Sequence, residues 1–183
     1  AFITASCSLK GDLFFESQLK AIAQKQNSNE LEKKLNLKEN SIIISQKQLS
    51  FVGPRTGEGY FSLDGKKMIF QSERHEGNPF YQMYVLDLVS GKSNRVSTGR
   101  GKTTCGWIHP NLKTVLWSST HLDPQVSNKI QEEYETRKKA VKSRYSWSFD
   151  DTYDIFTSDL NGKKIRQLTR EKGYDAEASF SND

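Results

Sequence analysis

Apolar positions in the stretch EGYFSLDGKKMIF, residues 58–70, fall into two short runs separated by Asp64-Gly65. Runs of this length, rich in aromatic and β-branched residues, predict two antiparallel strands. They meet at Asp64-Gly65, where glycine accepts the positive φ of a tight turn. The same pattern recurs. A constant offset of 47 carries it onto Trp107-Ile108-His109-Pro110-Asn111-Leu112-Lys113, and carries Met68-Ile69-Phe70 onto Val115-Leu116-Trp117. An offset of 119 carries Glu58, Phe61, Ser62 and Asp64 onto Glu177, Phe180, Ser181 and Asp183.

Two further markers keep these offsets. Gln48-Leu49-Ser50, Arg95-Val96-Ser97 and Gln167-Leu168-Thr169 each precede a copy by the same interval. Tyr84–Leu88 before Ser90-Gly91 matches Phe156–Leu160 before Asn161-Gly162, at an offset of 72, the difference between the other two. Periods of this length belong to propellers, solenoids and arrays.

One complete unit reads as strand A (57–62), strand B (66–72), strand C (81–88) and strand D (92–97), the plan of a propeller blade. Strand B is almost continuously apolar, as a strand covered on both faces should be. The expected fold is therefore all-β, a partial β-propeller of two four-stranded blades with flanking strands of others. The propeller region is residues 41–183, with blade one at 57–97, blade two at 103–169 and the start of a third at 176–183. Ser41–Ser50 reads as a strand D whose own blade is otherwise missing upstream.

Helical spacing appears in two places. Leu13, Phe14, Leu19, Ile22 and Ala23, then Leu31 and Leu35, predict a helical leader over residues 8–40, packed on the propeller edge. The second place is an insertion in blade two, residues 119–152, which accounts for most of the gap between the two offsets. Within it NKIQEEYETRKKAVKSRY, residues 128–145, predicts a helix with Ile130, Tyr134, Val141 and Tyr145 near one face. Lys129, Arg137, Lys138, Lys139, Lys142 and Arg144 fall opposite, and the acidic first half complements the helix dipole.

The segments YFSLDGKKMIFQS, the Asp-Leu turns ending in glycine, and IRQLT before YDAEASFSND resemble the TolB-like β-propeller repeat. That repeat is shared by periplasmic TolB proteins and by the propeller domains of prolyl oligopeptidase-type and tricorn-type peptidases. The resemblance implies a propeller of about six blades. His109-Pro110-Asn111-Leu112 departs from the Ser-Pro-Asp-Gly type of turn, so the A–B turn of blade two need not match that of blade one.

Charge alters this picture little. The 183 residues carry a formal net charge of +5, compatible with plain solubility, and no aromatic-and-basic motif of a nucleic-acid-binding module is present. Two cysteines make no disulfide framework. Cys105 reads as a small apolar residue of a strand. Cys7, after Ala1-Phe2-Ile3-Thr4-Ala5-Ser6, resembles the lipid-accepting cysteine that follows a lipoprotein signal, with residues 1–7 as its remnant. No stretch is long and apolar enough for a membrane-spanning helix, so a lipid on Cys7 is the expected membrane link.

Candidate chemistry is thin. Ser118, Ser119, His121 and Asp123 lie close in sequence, but no Gly-x-Ser-x-Gly elbow accompanies them, and a polar loop is the expectation. His75 sits between Glu73 and Glu76 without a third ligand nearby, and neither a metal nor a cofactor is expected. The sequence thus points to a non-catalytic scaffold in the bacterial cell envelope, periplasmic or associated with the outer membrane, binding a protein partner within a larger complex. Arg137, Lys138, Lys139, Lys142, Arg144, Tyr134 and Tyr145 are the expected contacts. The alternative is a substrate-filtering propeller domain of a larger peptidase or hydrolase.

Overall fold

The computed structural model describes residues 45–139 and 149–181. Cys7, the leader 8–40, Val141, Lys142, Arg144, Tyr145 and Asp183 lie outside the described residues. What is described is mostly β: a four-stranded and a five-stranded sheet with one helix.

The first sheet takes β1 (Thr56–Phe61), β2 (Lys67–Ser72), β3 (Gln82–Asp87) and β4 (Ser93–Arg95) in sequence order. The second takes β5 (Thr103–Ile108), β6 (Thr114–Ser119), β7 (Thr152–Asp159) and β8 (Arg166–Gln167) in the same way. A short β9 (Gly173–Tyr174) adds to β7 in parallel. These strands lie within a few residues of the positions that the apolar runs predict.

The repeat offsets hold pair by pair. Thr56↔Ser72, Gly57↔Gln71, Tyr60↔Ile69 and Phe61↔Met68 become Thr103↔Ser119, Thr104↔Ser118, Trp107↔Leu116 and Ile108↔Val115. Every β2–β3 partner from Lys67↔Asp87 to Ser72↔Gln82 reappears in β6–β7, from Thr114↔Asp159 to Ser119↔Asp154. Each first strand is bulged at one place, between Gly57 and Tyr60 and between Thr104 and Trp107. The bulge residues Glu58 and Cys105 have φ of 43° and 53°, and Glu177, the third residue in this series, has 61°. Three different neighbourhoods thus impose one left-handed backbone on non-glycine residues, a conformation that L-residues adopt only at a cost.

The turn after the first strand is also conserved in geometry. Gly65 N donates to Ser62 O at 2.9 Å, and Leu112 N to His109 O at 2.8 Å. Asp64 Oδ1 accepts from Lys66 N as Asn111 Oδ1 does from Lys113 N, at 3.1 and 2.9 Å. The two turns therefore match, against the freedom that the sequence left to the second, because Asn111 replaces Asp64 as the acceptor. Leu112 takes a φ of 59° where Gly65 has 67°.

The marker that ends in Ser97 and Thr169 has a physical reason. Each hydroxyl oxygen accepts the strand-C amide, Met83 N at 3.0 Å and Ile155 N at 2.9 Å, so the last strand closes the ladder through a side chain.

The sheets pack face to face. Ile69, Met83, Val85 and Val96 of the first unit meet Ile108, Val115, Trp117 and Phe156 of the second in one buried cluster. Gly106 permits the approach, since a Cβ there would stand 2.6 Å from Met83 Cε and 2.7 Å from Ile69 Cδ1. The other face of the first sheet carries a second buried cluster, Met68, Phe70, Tyr84, Leu86 and Leu88, with Leu49 against it.

Candidate functional site

The feature that departs from the repeat is the segment between β6 and β7, which carries the helix α1, Val126–Lys139. It starts before the predicted residue 128. Asp123 supplies the reason: its Oδ1 accepts from Gln125 N at 2.8 Å and its carbonyl from Val126 N at 3.1 Å, which satisfies donors left free at a helix N-terminus. Val126 is 1% exposed and seats the first turn. Arg137, Lys138 and Lys139 fill the last turn, where cations complement the dipole.

The predicted basic face is divided. Lys129 turns inward, with Nζ 2.7 Å from Asp123 Oδ2 and 3.0 Å from Asp150 Oδ1, while Lys102 reaches Asp150 Oδ2 at 3.0 Å. Arg137 also turns inward, against the expectation that it lies on an open face. Its Nη1 and Nη2 meet the two oxygens of Glu73, just after β2, each at 3.1 Å, and its Nε meets Glu133 at 2.7 Å. Arg55 approaches the same Glu73. A buried carboxylate without a cation is strongly unfavourable, which draws these side chains toward the sheets rather than toward solvent. Lys138 and Lys139 remain exposed, Lys138 in a pair with Glu135, and Tyr134 is half-buried.

These pairs govern protonation. Burial alone would raise the Asp150 carboxyl, but hydrogen bonds from Thr152, Lys129 and Lys102 outweigh it and hold the pKa at about 2. The hydrogen bonds to Glu73 raise Arg137 further above its ordinary value. Between α1 and the second sheet lies a cleft of about 400 Å³, lined on its two sides by Phe80, Lys102, Lys129, Glu133, Phe149 and Asp150 among others. Lys102 and Lys129 both answer Asp150 there, and the Lys129 pair is one of those that fasten the helix.

The serine, histidine and aspartate after β6 do not form a relay. Ser119 Oγ lies 3.2 Å from His121 Nδ1, but Asp123 is engaged by Lys129. The His121 ring packs on Phe156 at 4.3 Å and Trp117 at 5.6 Å, and burial, with Arg100 nearby, lowers its pKa to about 4. His75 is met by Arg95 Nη1, 2.7 Å from its Nδ1. Among the described residues no group of three or more histidine, cysteine or acidic side chains is arranged to hold a metal.

Sequence reasoning missed one surface feature, the stacked pair Tyr60 and Trp107, 4.7 Å between centroids and each more than a third exposed. Both occupy the same position of successive first strands, so the repeat offset itself was the signal for it.

No known protein family matches the chain, and no curated protein is similar to it. Solved structures are. A protein assigned as TolB from Agrobacterium tumefaciens aligns with a TM-score of 0.47 at 14% identity, over 70% of this chain and 38% of that one. TolB from Acinetobacter baumannii aligns at 0.42 and 21%, over 68% and 24%, and the tricorn protease at 0.47 and 10%, over 70% and 14%. The chain thus spans less than half the length of each.

Proposed function

We propose that the chain is a non-catalytic interaction scaffold: a partial propeller of TolB-like blades, in the bacterial cell envelope, that presents α1 to a protein partner. The observation that carries this reading is the way α1 is fastened. Its inward cations are bound to buried carboxylates that flank strands of both sheets, through Arg137 to Glu73, just after β2, and Lys129 to Asp150, just before β7. Its outer side, with Lys138 and Lys139, stays in solvent.

A helix inserted into a repeat and held from both sides loses little conformational freedom on binding, and such preorganisation favours affinity. Arg137, committed to Glu73, leaves the contact set. Lys138, Lys139 and Tyr134 stay in it, together with Lys142, Arg144 and Tyr145. A lipid on Cys7 would tether the scaffold to a membrane.

The test is photo-crosslinking from position 138 or 139 in cells. A protein adduct from position 138 that is lost on adding Lys139→Glu, and one from position 139 that is lost on adding Lys138→Glu, is the expected result. Absence of any adduct at either position, with both variants folded, overturns the reading. Adducts formed with short peptide substrates instead would favour the peptidase-associated alternative.

A further inference from the structure

The tight turns of the two sheets lie at one end of the molecule. Neighbouring strands alternate in direction, so the turns after β1, β3, β5 and β7 share that end, and the joint that carries α1 lies at the other. Packing sets the turns of the two sheets side by side. Asn94 Nδ2 in β4 donates to Leu160 O in the turn after β7 at 2.6 Å, and a Cβ on Gly162 of that turn would stand 2.9 Å from Arg95 O.

The acids of this end are folded back onto their own turns. Asp64 Oδ1 accepts from Ser62 Oγ at 2.6 Å, Asp87 Oδ1 from Val89 N at 3.0 Å and Ser90 N at 2.8 Å, and Asp159 Oδ1 from Asn161 N at 2.9 Å and Lys163 N at 2.8 Å. A carboxylate that closes a turn stays at the level of the backbone. Lys67 pairs with Asp87 at 3.2 Å. Lys66, Lys92, Lys113, Lys163 and Lys164 are exposed, and none of them joins an ion pair among the described residues. Each carries its ammonium on a flexible four-carbon stem, so positive charge stands outermost.

Two of the turn tips are apolar where polar residues are usual. Leu63 is 79% exposed and Val89 62%, in turns closed by Gly65 N to Ser62 O and by Gly91 N to Asp87 O. Such positions favour Gly, Pro, Asn, Asp and Ser, and the second sheet keeps to that preference with Pro110 and Asn161 at the matching places. Ile165, exposed beside Lys164, is a third apolar side chain at this end. Apolar tips among unpaired lysines match the boundary of an anionic bilayer, where side chains enter between headgroups and ammonium groups meet phosphates. A soluble polyanion would engage the lysines and leave Leu63 and Val89 without a role.

We propose that this end of the two sheets docks on an anionic lipid bilayer. Leu63 and Val89 enter between the headgroups, and Lys66, Lys92, Lys113, Lys163 and Lys164 answer the lipid phosphates. Such docking uses strand ends and not sheet faces. It needs neither a lipid on Cys7 nor the partner given to α1, which lies at the opposite end, and it stands or falls separately from both.

The experiment is vesicle flotation of the full polypeptide carrying Cys7→Ser, so that no lipid on the chain contributes. Vesicles of phosphatidylcholine and phosphatidylglycerol in equal parts should carry the protein, and phosphatidylcholine alone should not. Lysines near such a surface contribute about fivefold each, so Lys66→Gln, Lys113→Gln and Lys163→Gln together should weaken binding about 100-fold. Leu63→Ser with Val89→Ser keeps the charge and should weaken it about 10-fold. Unchanged thermal unfolding shows that each variant is folded. A solvatochromic dye on Leu63→Cys, in a Cys105→Ser background, should shift to the blue on the mixed vesicles. The same dye on Leu122→Cys, 56% exposed at the opposite end, should not. Equal binding to both kinds of vesicle, no binding to the mixed ones, or a shift at Leu122→Cys without one at Leu63→Cys overturns the proposal. Undiminished binding of the Leu63→Ser, Val89→Ser variant overturns it in favour of a soluble polyanion.

Discussion

Arg137 of α1 and Glu73 at the end of β2 meet as a fork against a carboxylate, both nitrogen–oxygen distances 3.1 Å, across 64 residues of sequence. The Glu73 side chain is 2% exposed, so the pair is desolvated on the acid's side. Arg137→Ala should therefore cost about 1–3 kcal/mol, less than for a lone buried pair because Arg55 still faces Glu73. Arg137→Lys should recover only part, since a lysine cannot make both bonds. Urea unfolding with a Glu73→Gln double-mutant cycle checks this. A coupling indistinguishable from zero would show that the fork does not hold the helix.

The two matched turns respond differently to glycine. Gly65→Ala should cost about 1 kcal/mol from the left-handed φ alone, since no atom lies within 4 Å of the added carbon. Leu112→Gly should be close to neutral. It relieves the same strain, but it removes a side chain that packs on the inter-sheet cluster. Thermal unfolding of both variants measures the difference, and a large loss for Leu112→Gly would mean that packing outweighs strain there.

His121 makes stability depend on pH. Its folded pKa, about 4, lies below the ordinary 6.5. Between these values the unfolded chain takes up a proton that the folded chain refuses. The contribution is complete above pH 6.5 and is lost as pH falls toward 4, by about 1–2 kcal/mol after solvent screening. Asp150, held at about 2, acts in a separate window, its contribution present above 3.8 and lost as pH falls toward 2. His121→Phe keeps a ring on Phe156 and should flatten the upper window, leaving the part due to His75, which is also lowered. Urea midpoints at pH 7 and 4.5 give the test, and an unchanged slope would remove His121 from the account.

Ser118 Oγ is buried and has no hydrogen-bond partner among the described residues. In the first sheet the same position is Gln71, whose Oε1 accepts from Thr104 Oγ1 of the next copy at 3.0 Å. The residue that the repeat offset puts at the position of Thr104 in the following copy is Ala176, which offers no hydroxyl. Ser118→Ala should thus be neutral or stabilising by up to about 1 kcal/mol. Calorimetry decides, with a loss of more than that revealing a partner.

The sheets were legible because their signal is periodic. A strand covered on both faces must be apolar along its length, and repetition at fixed offsets located β1–β3 and β5–β7 without any knowledge of contacts. The turn at Leu112 was left open because glycine is a sufficient sign of a left-handed residue and not a necessary one: here Asn111 and the packing of Leu112 supply what glycine would. Arg137 was assigned to an open face because a charge in a sequence carries no direction. Its orientation depends on Glu73, a partner that no local spacing reveals. The helix boundary was displaced for a simpler reason, since Asp123 was read as part of a polar loop and not as a helix start.

The joint between the second and third strands is residues 73–81 in one copy and 120–151 in the other, yet not one pairing on either side has slipped. The free energy of closing a loop grows only with the logarithm of its length. The ladders therefore tolerate additions at this joint, and the molecule behaves as a chassis with a fitting port at a fixed address. A foreign helix grafted between Ser72 and Gln82 of the first copy would meet the same geometry that α1 met in the second.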